Sequence, residues 1–261
     1  MLNDPDHELW RRILAFDEVS HEYWAKREDW PGAVVFTNTA DDPGNVAVLR
    51  ASPPDAVDAL IERLVRHYRC VDMAPRVRVT PLSEPPDWPS HLMRHGFVET
   101  GEREVFMHLV GDLRRPVNPA VSVYRAPDEI DLETFVATQS TGFGLDGNIE
   151  RGVETALNNL KRYDYDFLVA KIGDTVVGAI SMLYGDGIVG MWGLATLEPY
   201  RRQGIGTTLF HWVVDEGRRR GAEIIYLSTE PESYAHSIYL RLGFVNLFVV
   251  DTFELPVNGH A

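Results

Sequence analysis

The chain has 261 residues, 44% hydrophobic and 25% charged, with a formal net charge of -14. That length accommodates two domains of about 100–150 residues each. The acidic balance argues against nucleic acid as a partner, and no apolar run reaches the ~18 residues of a membrane span. The single cysteine, Cys70, excludes an internal disulfide and a cysteine metal cluster. With an acidic N-terminus unlike a secretory signal, these features point to the cytoplasm.

In chain order, "DHELWRRILAFDEVSHEYWAKRE" carries Leu9, Ile13 and Phe16 at helical spacing and predicts one amphipathic helix. "GAVVFTN" and "NVAVLRA" read as short strands around a "TADDPG" turn. "SPPDAVDALIERLVRHYR" opens with a helix start signal and puts Val57, Leu60, Ile61, Leu64 and Val65 on one face. A strand, "RVRVT", a Pro-rich loop, and a short helix ending at a glycine before one or two strands close this half.

"GDLRRPVNPA" is the linker candidate, which divides the chain into 1–112, a linker at 113–120, and 121–261. Beyond it come a strand ("VSVYRA"), a helix ("DEIDLETFVATQS"), a Gly-rich loop ("TGFGLDG") and a second helix ("IERGVETALNNLKRY"). Three apolar strands follow, joined by Gly-Asp and Gly-Asp-Gly turns as an antiparallel meander. Then "YRRQGIG" leads into a helix, a strand ("AEIIYLST"), a helix ("ESYAHSIYLRL") and a last strand. The order is α+β with one βαβ-like crossover. The halves also end alike: "LMRHGFV" (92–98) aligns without a gap on "YLRLGFV" (239–245), the mark of a duplicated unit.

Gly204 and Gly206 begin a helix behind Arg201 and Arg202. Free N–H groups at a helix start, with the positive end of its dipole, form an anion site when the backbone can be approached closely. The two arginines would add charge beside those amides. A Walker loop is excluded because no Lys follows Gly206, and a dinucleotide fingerprint because Leu209 fills its third glycine slot. No His-Glu-x-x-His or similar cluster supports a metal.

"YRRQGIG" resembles the Arg/Gln-x-x-Gly-x-Gly/Ala signature of the GNAT superfamily of acetyl-CoA-dependent N-acyltransferases, with Arg201, Gly204 and Gly206 in its fixed places. About 35 residues on, "AHSIYLRLGF" is similar to a second family segment through Ala235, Tyr239, Gly243 and Phe244. The likeness covers roughly 121–255 and reaches the first half only in outline. It implies two GNAT-like α/β domains, each a mixed, largely antiparallel sheet flanked by helices, the first degenerate. It implies that acetyl-CoA is the cosubstrate and that the acceptor is a small-molecule, peptide or protein amine, in a monomer or homodimer. By the same resemblance the backbone of Leu194, Ala195 and Thr196 would bond the pantetheine arm as an added strand. Arg201 fills the motif, and the backbone of Arg202, Gln203, Gly204, Ile205, Gly206 and Thr207 would hold the pyrophosphate. Tyr239 would protonate the departing thiolate; a phenol of pKa ~10 is neutral at pH 7 and suited to that step.

The chain departs from the family pattern at Glu232, where Asn is common, at Pro199, two rather than three residues before Arg201, and on "GIVGMWGLAT", which lacks the glutamate many members use as base. Glu198, Glu230 and Asp166 stand as alternative bases, each also readable as a surface carboxylate, and His211 and His236 read more simply as structural. A non-catalytic acyl-CoA sensor or scaffold is the alternative function. In the first half "ASPPD" replaces the glycine pair and Leu92 stands where Tyr239 does, so that half reads as lacking the chemistry.

Overall fold

A computed structural model describes residues 5–38, 45–145 and 147–256. The expected "TADDPG" turn and Asp146 of the Gly-rich loop lie outside the described residues. The chain forms two compact units that are not contiguous in sequence. One comprises the described part of Met1–Phe106, Thr229–Glu232 and Leu247–Ala261; the other comprises Met107–Ser228 and Ser233–Asn246.

The first unit contains α1 (Pro5–His21), β1 (Lys26–Trp30), β2 (Ala33–Thr37), β3 (Val46–Leu49), α2 (Val57–Cys70), β4 (Arg76–Val79), α3 (Trp88–Arg94) and most of β5 (Val98–Leu109). β1, β2 and β3 pair antiparallel, β3 pairs parallel to β4, and β4 pairs antiparallel to the final strand, β11 (Phe244–Glu254). Alternation along β2 explains how both faces are covered. Ala33 and Val35 join Leu60, Ile61, Leu64 and Tyr68 of α2 and Trp88 and Leu92 of α3, while Val34 and Phe36 point to the opposite face with Val46 and Val48. The single long N-terminal helix expected from the sequence ends at His21, and 26–30 is a strand. The reason is a hairpin: 26–30 pairs residue for residue with 33–37 across a turn at Gly32 (φ 84°), and its charges suit a strand. Lys26 pairs with Glu28 (3.0 Å) and Arg27 with Asp29 (2.9 Å), and residues two apart share a face on a strand rather than on a helix.

The second unit holds β6 (Val121–Arg125), α4 (Glu129–Phe143), α5 (Ile149–Arg162), β7 (Asp164–Ile172), β8 (Thr175–Gly185), β9 (Ile188–Thr196), α6 (Ile205–Arg219), β10 (Ile224–Thr229) and α7 (Tyr234–Leu242). β6 to β9 form the predicted antiparallel meander, and β10 joins β9 in parallel through the α6 crossover. α6 buries Ile205, Leu209, Phe210, Val213 and Val214 on one face of this sheet; α4 buries Leu132 and Phe135, the latter edge-on to Phe167 at 5.0 Å. The mixed sheets flanked by helices are of the expected class. The Gly-rich "TGFG" is not all loop: Thr141–Phe143 form the last turn of α4, and Gly144 ends it in the left-handed region (φ 68°). Gly142 permits this, because a Cβ there would stand 2.7 Å from that of Ala195.

Candidate functional site

The site is built where β9 runs out of partners. Its pairing with β10 spans Ile188–Met191 against Ile224–Leu227 and then stops. On the other edge the register with β8 shifts, from Ser181 opposite Trp192 to Ala179 opposite Ala195. One residue of β8 therefore faces both Gly193 and Leu194, a β-bulge with Gly193 in the left-handed region (φ 63°). The carbonyl that the bulge removes from the ladder accepts a hydrogen bond from Gln139 Nε2 of α4 (2.6 Å).

Beyond the bulge, Leu197 N–H donates to Val177 O of β8 (3.0 Å). Backbone polar groups alternate along a strand, so those of Ala195 also face β8, whereas those of Leu194 and Thr196 face the open edge. Of the three residues singled out from the sequence, these two face the open edge, where the Thr196 carbonyl is met by Arg201 Nε (3.3 Å) and the Leu194 groups are left for an added strand. Ala195 contributes its side chain against Gly142 instead.

The chain then makes a 3₁₀ turn at Glu198–Tyr200 and bends into α6. Arg202 (φ 64°) and Gly204 (φ 78°) both lie in the left-handed region, and Gly204 caps α6 without a side-chain bond. The first amide of the helix to find an internal partner is Thr208, which donates to Gly204 O (3.0 Å). Among the described residues, no partner accepts from the N–H groups of Arg202 through Thr207. Together with the helix dipole, this run of donors has the chemistry of an anion cradle. The two arginines divide the work differently from the sequence expectation. Arg201 is turned back, donating to Thr196 O (3.3 Å) and Gly142 O (3.1 Å), so it fastens the loop to β9 and α4. Arg202 is exposed and leaves its charge available beside the cradle. Gln203 donates to Pro199 O (3.2 Å).

Tyr239 lies on α7, its half-buried ring edge-on to Phe210, one turn into α6 (5.5 Å, 86°), and beside Phe244 (6.2 Å). Burial raises its phenol above the ordinary tyrosine value, and its hydroxyl has no hydrogen-bond partner among the described residues. α7 is positioned by Ser233, whose side chain accepts from His236 N, and by Gly243 at its C-terminus (φ 109°).

The other candidates are engaged elsewhere. Asp166 is buried and bonds Arg125 (2.8 Å) and Arg220, within a cluster that includes Glu216. Glu198 is exposed on the 3₁₀ turn, and Glu230 and Glu232 are exposed in the first compact unit. His211 Nε2 donates to Arg115 O (2.6 Å), and His236 bonds Asn246 Oδ1 (2.8 Å). Among the described residues no group of three or more His, Cys, Asp or Glu could hold a metal, and no helix is long and apolar enough to cross a membrane. Sequence reading missed Gln139, Gly193 and Asn118. A glycine inside the apolar run "MWGLAT" is the ordinary mark of a bulge and was the available signal for Gly193.

In this α/β domain a bulged strand with a free edge continues into a helix start with free donors, an arrangement with the chemistry to accept an extended ligand with an anionic group. Residues 133–244 match the family model "Acetyltransferase (GNAT) family". No curated protein sequence matches the chain. Among solved structures the chain is similar to a GCN5-related N-acetyltransferase from Kribbella flavida (17% identity, 95% of each chain covered, TM-score 0.72). It is similar to another from Sphaerobacter thermophilus (15% identity, 94% of this chain and 87% of that one, TM-score 0.65). A tandem GNAT protein from the clavulanic acid biosynthesis pathway aligns over 87% of this chain and 80% of its own at 14% identity and TM-score 0.61. At these identities the likeness is one of fold.

Proposed function

We propose that residues 121–261 transfer an acetyl or short acyl group from coenzyme A to an amine by direct attack in a ternary complex. In this reading 113–120 is a linker and 1–112 a degenerate copy. The observation that carries it is the run of free N–H donors at 202–207 directly beyond the open edge at Leu194 and Thr196. An extended pantetheine arm adds to that edge, and its diphosphate meets the cradle and Arg202. The amine nitrogen attacks the thioester carbonyl, the carbon–sulfur bond breaks, and the thiolate takes the proton of the Tyr239 hydroxyl. The proton lost by the amine passes to water and restores the phenol. Asp166, held by two arginines, takes no part.

The first half supports the asymmetry. Arg50 N–H donates to Gly32 O, in the turn just before β2 (2.9 Å), so by alternation the carbonyl of Leu49 faces the β4 side, as that of Leu194 faces the open β10 side of β9 in the second unit. Leu49 O accepts from the buried Ser83 hydroxyl (2.8 Å), and Ser52 N–H donates to Glu84 O (2.8 Å). The edge that would take a ligand arm is taken by the loop after β4. At the start of α2, Pro53 and Pro54 supply no N–H.

The test is thiol release from acetyl-CoA over a panel of small amines, peptide N-termini and lysine side chains, with Tyr239→Phe in parallel. Turnover of one acceptor class that falls about 100-fold or more in the variant is expected for loss of a general acid. Coenzyme A binding without turnover for any amine would favour the acyl-CoA sensor, and no binding would refute both.

A further inference from the structure

The segment that joins the two halves follows one face of α6. Arg218 bonds Asp112 Oδ1 (2.7 Å) and Gly111 O (2.5 Å), His211 donates to Arg115 O (2.6 Å), and Thr208 Oγ1 accepts from Asn118 N (2.9 Å). Positions 208, 211 and 218 lie on one side of a helix, so this strap is fastened along its length. Its last fastening reaches the cradle: Asn118 Nδ2 donates to Gln203 O (2.7 Å). The other end of the same amide is also held, because Asn118 Oδ1 accepts from Ala120 N (2.9 Å). The side chain cannot swing away without breaking both bonds.

Gln203 O and Gly204 N–H belong to one planar peptide group and point in opposite directions. Holding the carbonyl toward the strap aims the Gly204 N–H away from it, with the other free donors. Gly204, flanked by Arg202 in the same left-handed region, is a place where the preceding peptide can flip at low cost. A flip would turn a carbonyl dipole toward the bound anion. We infer that Asn118 is a positioning residue that locks the 203–204 peptide in the anion-binding orientation, so that the linker sets affinity for the diphosphate of the acyl donor. This rests on the reading of 202–207 as the diphosphate cradle.

The experiment compares acetyl-CoA with acetyl-pantetheine, which lacks the diphosphate, as donors for wild type, Asn118→Ala and Asn118→Asp. The aspartate retains the bond to Ala120 N and loses the donor to Gln203. For both variants kcat/KM with acetyl-CoA should fall about 10-fold, through KM with kcat unchanged. Acetyl-pantetheine should be used as by wild type. Equal losses with both donors, or no loss with acetyl-CoA, overturn the inference. Thr208→Val, which removes the acceptor for Asn118 N–H and with it the Thr208 Oγ1 donation to Gly204 O (3.1 Å), provides a second variant if those at 118 fold poorly. It should show the same selective loss, and a non-selective loss counts against the inference. Wild type that binds no coenzyme A refutes the underlying function; wild type that binds it while Asn118→Asp keeps full discrimination refutes the role of Asn118 alone.

Discussion

Gly206→Ala should separate stability from ligand binding. Gly206 is the second residue of α6 with an ordinary helical backbone, so an added methyl meets no conformational penalty. Ala in place of Gly favours a helix by up to about 1 kcal/mol. The nearest atom to that methyl would be Leu194 Cδ2 at 3.3 Å, a side-chain tip that can give way. The folded chain should therefore melt at the wild-type temperature or about 2–4 °C above it. The methyl enters the corner between the cradle and the free edge of β9, where a ligand must turn from strand pairing to anion binding. Displacing a single charged hydrogen bond costs about 1.5–3 kcal/mol, or roughly 10–100-fold in Kd. Gly204→Ala is the contrasting control. Its backbone is left-handed (φ 78°), which costs a non-glycine residue about 1–2 kcal/mol, so it should lower the melting temperature. Thermal melts and calorimetric titration with coenzyme A read both quantities. A Gly206→Ala protein that binds coenzyme A as wild type does would refute the cradle; one that melts as low as Gly204→Ala would refute the structural distinction between the two glycines.

Three further outcomes follow from the same geometry. Because burial raises the Tyr239 phenol above its usual value, the proton donor stays protonated as pH rises. kcat should then show no alkaline decline below about pH 10, and a decline near pH 8 that disappears in Tyr239→Phe would contradict it. Glu216, bonded to Arg219 and Arg220 and beside Arg125, is held down at about 2, from 4.5. A depressed carboxylate stabilises the fold above its unfolded pKa and loses that contribution as pH falls through the folded value. Glu216→Gln should thus cost at most ~3 kcal/mol at pH 7, narrowing between pH 4.5 and 2; a pH-independent difference in denaturant melts would show that packing rather than charge is responsible. Titration with coenzyme A should saturate at one molecule per chain, and a second equivalent site would mean that the Ser83–Leu49 bond does not close the first half.

Much of this fold is legible in the sequence because it rests on local signals. The near-continuous apolar runs of β8 and β9, the Gly-Asp turns and the apolar face of α6 all declare themselves within a few residues. What is not legible depends on residues far apart. Nothing in "FVNLFVVDTFEL" says that Asp251–Glu254 will pair with Val79–Arg76, over 170 positions earlier. The cradle shows the same division. Gly204 and Gly206 mark it locally, but Arg201 carries a charge whose destination, Gly142 O, is set by α4, and Asn118 is an unremarkable turn former until the strap lies along α6. The charged β1 is missed because Lys26-Arg27-Glu28-Asp29 is as polar as an exposed helix end, and what makes it a strand is its pairing with β2.

The two halves differ most clearly in which polar groups they leave unmet. Their repeated segments keep the same skeleton: Gly96 and Gly243 are both left-handed (φ 87° and 109°), and Phe97 and Phe244 are both buried. In the first half, Leu92 completes an apolar core, prolines stand where N–H donors would be, and Ser83 satisfies Leu49 O. In the second, a half-buried hydroxyl, the open edge at Leu194 and the donors of 202–207 have no partner among the described residues. Groups that the fold leaves without hydrogen bonds gain nothing from it, and when shielded from water they cost about 1–3 kcal/mol each. They are concentrated in one copy, while the other fills the matching strand edge with Ser83 and puts prolines at the matching helix start, and that asymmetry is what supports placing the proposed ligand site in the second half alone.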